Sequence, residues 1–548
     1  MKQLLIYPMV LAVALAACNS FEKKQNTTAE ATETAERKIT KRDYSITKAN
    51  AYSNLFVDSA AVEAFMTQQK LPDSISRRMR SFYNARNYQA AWFSSDGLTE
   101  QARGFWNLLD YHTAYNNDTA LRDKALQKKM DKLTAIDTLR VSGSDKSFIS
   151  TELSLTQRFI QYIQSAYKEG YVKRKEMERF VPRKHENALA VADSLLNKKH
   201  KDNKYFEDIN PSYKALKEAL GRYYTLAKNG GWQSIDTMGT KLLKKGAASP
   251  QVVLIKKRLQ LSGDMPGGDS SNLFNDSLER GVKSFQQRHG YTPNGVITKS
   301  LIKDMNVPAM ARLQQILINM DRMRWMPSRP DGNLIMVNIP EFVLHVMDGS
   351  KKVFDMNVVV GKEGHNTVIF TGDLNQIVFS PYWNVPQSIV EKEVLPAMAR
   401  NASYLENQHM EITGHEDGFP VVRQLPGPDN SLGRVKFLFP NSFNIYFHDT
   451  NAKGLFAQDK RAYSHGCIRL AEPEKMAQYL LQNDKTWTPE KIEEAMDSGD
   501  EKTVRLKDPV PVFISYYTAW VDESGRLNFR DDIYSHDKDL RRKMFTGN

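Results

Sequence analysis

The chain reads as a multidomain α+β protein: an α-helical N-terminal region, a small three-helix module, and a β-rich C-terminal domain carrying an insertion. Its 548 residues exceed what one hydrophobic core organises, so about two to four domains are expected. Apolar residues recur at spacings of three and four from about Asn50 to Gly246, the period of helices with one buried face. From Asn333 the period becomes two, the period of strands. With 41% hydrophobic and 26% charged residues, the composition is that of a soluble globular chain, not a disordered or membrane-spanning one. The net charge of +12 raises nucleic-acid binding, but no nucleic-acid motif is present and the lysines are spread along polar helical faces. Solvated surface, with attraction to an anionic envelope polymer, is the better reading.

Met1-Lys2 and the apolar run Leu4 to Ala17 form a charged start and a hydrophobic stretch too short to span a bilayer comfortably, as in a secretory signal over residues 1–17. The run ends Leu15-Ala16-Ala17-Cys18, which resembles the lipobox of bacterial lipoproteins. That resemblance implies cleavage before Cys18 and acylation of its thiol; ordinary signal cleavage without lipid is the alternative. Residues 18–49 are polar, with few apolar side chains to bury, and read as a flexible tether.

Between residues 50 and 246 Phe105, Leu108 and Leu109 share one helical face, as do Phe159, Tyr162 and Ile163. Pro182, Pro211 and Gly230-Gly231 divide the run, and Asp73-Ser74-Ile75-Ser76 marks a helix entry. Residues 247–306 form a unit of their own. Val252, Ile255 and Leu259 make one apolar face, and Leu278, Val282 and Phe285 make a second, opened by Asp276 and Glu279 at capping-box spacing. Gly290 stops that helix, Asn294-Gly295 turns the chain, and Thr298 starts a third helix. A linking helix follows within residues 307–332, with Leu313, Ile316, Leu317 and Met320 on one side, ended by Pro327 and Pro330.

The β-rich domain covers residues 333–548. Ile335, Val337 and Ile339 alternate, and Leu344-His345-Val346 and Val353-Phe354 flank Asp348-Gly349-Ser350 as a hairpin. Residues of about 386–440 break the pattern: Glu391 to Arg400 favours helix, and Gly414 to Leu432 is rich in Gly, Pro and Asn. Such an insertion beside a reactive residue can act as a lid, or be a passive loop. Pro473 opens a later helix, and Val510 to Trp520 returns to strand.

Chemistry concentrates in Phe443 to Leu470, which holds Cys467, the one cysteine outside the amino-terminal segment, and two of eleven histidines. A thiol becomes a nucleophile when a neighbouring base or positive charge favours the thiolate, and His448 and His465 are the candidates. Alternation through Phe443-Asn444-Ile445-Tyr446-Phe447-His448 places His448, Tyr446 and Asn444 on an open strand face. The same period through Ser464 to Leu470 buries Ile468 and Leu470 and turns His465, Cys467 and Arg469 the other way. Residues two apart on one strand stand parallel and apart, whereas adjacent strands can bring Cys467 and His448 together, which favours His448 as the base. Gly466 lets backbone N–H groups beside the nucleophile approach a substrate oxygen, as an oxyanion hole requires. An inert core cysteine is the bland alternative. A zinc site of His448, Asp449, His465 and Cys467 is another, and it lacks the paired spacing of structural zinc ligands.

His448, fifteen residues, then Ser464-His465-Gly466-Cys467-Ile468-Arg469 resembles the signature of the L,D-transpeptidases, the YkuD-type catalytic domain of bacterial cell-wall enzymes. Phe379 to Ile389, Ala519-Trp520-Val521-Asp522 and Phe529-Arg530-Asp531-Asp532 resemble the large YcbB-like branch, as does Tyr83 to Tyr88 with Ala91-Trp92 for its scaffold domain. Asp449 departs from the glycine or serine common after the histidine, although His-Asp-Thr is usual in that branch. Phe285-Gln286 before Gly290, with Gly295-Val296-Ile297 after it, resembles the three-helix peptidoglycan-binding domain. These resemblances imply an L,D-transpeptidase that forms a thioester on Cys467, with His448 as base and then acid, and transfers the stem to a neighbouring amine as a 3→3 cross-link. They imply substrate contacts from His465, Arg469, Tyr446 and Trp383, no metal and no organic cofactor. Donor and acceptor stem peptides are the implied partners, with cell-wall synthesis proteins to recruit the enzyme, and the implied location is the periplasmic face of the envelope, anchored through Cys18. An L,D-carboxypeptidase or protein-to-wall transferase would use the same thiol, and a catalytically silent wall-binding lipoprotein would not need it.

Overall fold

The computed structural model describes residues 38–547 apart from 116–117, 135, 137–138, 168–171, 198–206, 208–210, 238–241 and 328–331. The expected signal segment 1–17, Cys18, the expected tether up to residue 37 and Pro330 lie outside the described residues. The chain divides into two compact units: one of residues up to Ala102 with Thr119–His185, the other of Arg103–Asp118 with Glu186–Asn548.

The first unit is helical. Helix α1 (Asp73–Asn84) starts where Pro72 fixes the extended entry, and the last third of the expected tether is tied to it. The amide of Asp43 donates to Asn84 O (2.9 Å), Thr40 Oγ1 donates to Glu178 (2.6 Å), and Ile46 is fully buried. The tether reading therefore fails for residues 38–49, which carry partners that polar composition alone does not reveal. Helix α2 (Glu100–Tyr115) belongs from Arg103 onward to the second unit. Helix α3 (Lys146–Ala166) supplies Phe159, whose ring meets Trp92 edge-on at 5.4 Å, and the buried carboxylate of Glu152, which accepts from the amides of Ala91 (2.7 Å) and Trp92 (3.0 Å). Tyr83 and Trp92 are fully buried here, as core residues.

The helical region expected over residues 50–246 is thus not one body. Helices α4 (Ala188–Leu196) and α5 (Pro211–Lys228) pack with the second unit, where Tyr223 meets Phe529 edge-on at 5.5 Å. The three-helix module comprises α6 (Pro250–Ser262), α7 (Asp276–Arg288) and α8 (Lys299–Met305) around the core of Val252, Ile255, Leu259, Leu278, Val282 and Phe285. Asn275, not Asp276, caps α7, its side chain accepting from Leu278 N (3.1 Å). Thr298 caps α8 as expected. Helix α9 (Ala309–Met323) links the module to the β domain.

The module is not a loose attachment. His289 of the module stacks on Phe529 of the β domain (5.6 Å) and the Arg288 guanidinium lies over the same ring (5.9 Å), while inside the module Arg288 makes a two-pronged pair with Asp264 (2.6 and 2.5 Å), both buried. Removing one partner of a buried pair strands the other charge. Asp264→Ala is therefore expected to destabilise the second unit by about 3–5 kcal/mol, read as a lower urea midpoint.

The β domain is a nine-stranded sheet. Its strands are β1 (Asn333–Asn338), β2 (Val343–Asp348), β3 (Lys351–Gly361), β4 (Phe370–Phe379), β8 (Val435–Leu438), β9 (Phe447–His448), β10 (Ala462–Ser464), β11 (Ile468–Leu470) and β12 (Lys502–Ser515). The spatial order is β10-β3-β11-β9-β8-β4-β12-β1-β2, and β2 also pairs with β3, so the sheet closes on itself. Ile335 and Val337 are fully buried in its core, as is Ile339 in the turn just past β1, but Leu334 is buried on the other face against Met347 and Phe513, so burial does not alternate along the strand. On the outer side Tyr111 of α2 meets Phe513 edge-on at 5.1 Å, and Asn107 donates to Ile369 O (2.9 Å). Those contacts explain why this part of α2 belongs with the sheet. Between β4 and β8 the insertion forms a three-stranded sheet of its own: β5 (Trp383–Asn384), β6 (Met410–Glu416) and β7 (Phe419–Gln424). Part of the stretch rich in Gly, Pro and Asn is therefore a hairpin, turned at Asp417-Gly418, which no period-two signal announced.

Candidate active site

Strands β9 and β11 run parallel and adjacent, with Phe447 opposite Ile468 and His448 opposite Arg469. One step back, Tyr446 stands opposite Cys467, and Tyr446 O accepts from Ile468 N (3.1 Å). Opposed residues share a face, so Phe447 and Ile468 enter the core while His448, Tyr446, Arg469 and Cys467 stand on the other side. The strand is shorter than alternation suggested. Asn444 has φ +54°, in the left-handed region, and Phe443 to Tyr446 lie outside the ladder. That kink brings Asn444 O to the thiol, and Cys467 Sγ donates to it (3.6 Å) rather than to His448.

The face holding His448 is not open. His448 is 4% exposed, beneath the returning limb of the insertion. That limb is held by Asn430, which donates to Pro381 O (3.0 Å) and accepts from Leu432 N (2.8 Å), and by Arg434 N, which donates to Asp449 Oδ2 (2.9 Å). Gly433, at φ +64°, presses so close to Asp449 that a Cβ would overlap its carboxylate. Asp449 thus anchors the limb beside the base, a role its place after the histidine did not disclose. His448 Nδ1 faces Asp449 O at 2.5 Å; a carbonyl only accepts, so Nδ1 carries the proton and Nε2 the lone pair. Burial, and next the Arg469 cation, lower its pKa from 6.5 to about 4, against the hydrogen bond to the Asp449 carbonyl and the charge of the Asp449 carboxylate. His448 is therefore a neutral base at neutral pH.

Burial also pushes the Cys467 thiol up, opposed by hydrogen bonds from Tyr446 and by the charge of Arg469. The resting pair is a neutral thiol and a neutral imidazole, not a preformed thiolate. The Tyr446 hydroxyl lies against the sulfur and is raised by burial and by that neighbour. Gly466 has φ +115°, which a side chain would strain. Its N–H donates to Ser464 Oγ (3.2 Å) and its carbonyl accepts from Thr367 Oγ1 (2.8 Å). The Gly466 amide is thus committed, whereas the Cys467 amide has no acceptor among the described residues. Arg469 is half-buried, and its Nε has no hydrogen-bond partner among the described residues.

The other expected contacts divide. Trp383, partly buried, packs against the apolar cluster of the insertion formed by Val385, Val390, Val394 and Val422. His465 leaves the row of Tyr446, His448, Cys467 and Arg469, because Gly466 interrupts the alternation, and its Nε2 bonds Glu393 Oε1 of the insertion (3.1 Å). Among the described residues no three or more His, Cys, Asp or Glu groups are placed to hold a metal ion. No helix of the described residues is long and apolar enough to cross a membrane.

Residues 332–512 match the family described as L,D-transpeptidase catalytic domain, residues 77–220 match a scaffold domain, and residues 248–305 match the "Putative peptidoglycan binding domain". A Haemophilus influenzae protein named "Putative L,D-transpeptidase" is 30% identical over 243 residues, covering 41% of this chain and 49% of its own length. The chain thus spans about half the length of that curated relative. Similar solved structures include an L,D-transpeptidase from Mycobacterium smegmatis (14% identity, 33% of this chain and 58% of that one, TM-score 0.19). Another is an L,D-transpeptidase from Stackebrandtia nassauensis (15% identity, 50% and 97%, TM-score 0.20). Residues 332–512 of this chain are therefore an L,D-transpeptidase catalytic domain, carried with a scaffold domain and a module of the peptidoglycan-binding type.

Proposed function

We propose that the protein is an L,D-transpeptidase of the YcbB-like branch, forming 3→3 cross-links in peptidoglycan through a thioester on Cys467. The observation that carries this reading is the parallel β9–β11 register, which stands His448 and Cys467 on one face inside the matched catalytic domain. His448 Nε2 removes the thiol proton as sulfur attacks the amide carbonyl between the third residue of a donor stem and its terminal D-alanine. The Cys467 amide receives the developing oxyanion in place of the committed Gly466 amide, a donor worth about 3 kcal/mol. His448 then gives its proton to the departing D-alanine amine. A side-chain amine of a second stem attacks the thioester, the C–S bond breaks, and the amine's proton returns through His448 to the sulfur. The insertion limits water, so that transfer outruns hydrolysis. Arg469 and Tyr446 serve as substrate contacts beside the sulfur, and the chain is held at the periplasmic face of a membrane by a lipid on Cys18.

Purified protein incubated with disaccharide-tetrapeptides is expected to release D-alanine and yield dimers linked 3→3, identified by tandem mass spectrometry. Tripeptides with D-alanine and no dimer would favour the L,D-carboxypeptidase reading. The pH profile follows from the base. Because only neutral His448 accepts the proton and its pKa lies near 4, acylation kcat/KM is expected to fall only as pH drops through about 4. Arg469→Met removes the cation and is expected to move that limb upward, toward the ordinary histidine value.

A further inference from the structure

We propose that Glu393, on the insertion, and His465 form the subsite that receives the attacking amine. The inference rests on the transpeptidase reading and names the half of the site that reading leaves unassigned. His448 and Tyr446 belong to the row that holds Cys467. Outside that row, His465 Nε2 meets Glu393 Oε1 at 3.1 Å, with side chains 32% and 54% exposed. This is a polar bridge open to solvent, next but one in sequence to the nucleophile.

The local fold aims Glu393 there. Val390 to Val394 winds as a π-helical turn, in which Val390 and Val394 are buried in the insertion's apolar cluster while Glu393 faces outward. Such a turn is an irregularity that concentrates at functional sites. A carboxylate can only accept, so His465 Nε2 carries the proton and Nδ1 keeps its lone pair. Burial lowers the His465 pKa, and the nearby Lys362 and His365 act in the same direction against Glu393; the ring of His365 packs edge-on at 4.9 Å. At neutral pH the imidazole is therefore uncharged, and Glu393 has no other cation paired to it among the described residues. Glu391 and Lys392 beside it on the same turn are exposed.

An amine acceptor arrives in water as an ammonium, for which this carboxylate is the complementary charge. It must lose one proton before it can attack, and the Nδ1 lone pair of His465 is the acceptor at hand. The freed amine then forms the new amide bond as the C–S bond breaks, its second proton passes through His448 to the sulfur, and the proton on His465 leaves to solvent. A lid contact alone would serve acylation and transfer equally, whereas an acceptor subsite serves transfer.

The test separates the two half-reactions. Acylation is followed as the intact-protein mass shift with a tetrapeptide donor, and transfer as dimer formed with a stem tripeptide whose side chain carries an amine. Glu393→Gln is expected to raise the KM for the tripeptide at least tenfold and to lower transfer at least tenfold more than acylation, with Glu393→Asp restoring part of the loss. Equal losses in both half-reactions, or no loss in either, would overturn the subsite. If the wild-type protein forms no acyl-enzyme, the transpeptidase reading fails together with it.

Discussion

Cys467→Ala is expected to abolish the intact-protein mass shift with a tetrapeptide donor or a carbapenem. The chain offers the thioester no second home: its other cysteine is Cys18, at the amino-terminal end. The folded state is expected to survive the change, because it removes one atom from a partly buried residue whose contacts are the Asn444 carbonyl at 3.6 Å and the Tyr446 hydroxyl. Losing a weak S–H donor leaves the Asn444 carbonyl to water at little cost. An undiminished mass shift in a variant with an unchanged melting temperature would remove Cys467 from the chemistry. Sacculus pull-down by the same variant separates the enzyme from a wall-binding lipoprotein, since binding through the three-helix module would persist without any thiol.

His448→Ala is expected to lower the acylation rate by at least about a hundredfold, the ordinary loss when a positioned general base is removed. The resting state explains why the effect is large. With the thiol raised by burial and the imidazole lowered to about 4, almost no thiolate exists before substrate arrives, so proton removal must accompany attack. His448→Asn keeps a donor within reach of Asp449 O and serves as the folding control, lacking the base but not the hydrogen bond that orients it. His465→Ala is expected to spare acylation by comparison. A crippled His465→Ala beside a healthy His448→Ala would reassign the base.

Much of this arrangement is visible in the order of residues, for a reason that can be named. A strand with one buried face has period two, so Phe447 and Ile468 in the core place His448 and Cys467 on the same opposite side whatever the rest of the chain does. Ile335 and Val337 mark a strand of the central sheet, although Leu334 next to Ile335 is buried too. What stayed hidden depends on contacts between distant segments. The kink at Asn444 hands the thiol to a carbonyl, the limb through Leu432 and Gly433 closes over His448, and Asp449 holds that limb through Arg434 N. None of these leaves a periodic trace. Composition made residues 38–49 look like tether because it cannot show that Thr40 and Asp43 find partners. The division of the helical region was hidden likewise, since Tyr111 and Tyr223 look like any buried aromatics until Phe513 and Phe529 are beside them.

The most direct measurement is peptide mapping of the wild-type protein quenched during turnover of a tetrapeptide donor. The tripeptidyl group is expected on the fragment containing Cys467, as a thioester that hydroxylamine removes and that fades when acceptor amine is added. Release of D-alanine with no adduct there, or with the adduct on a hydroxyl elsewhere, would contradict the account.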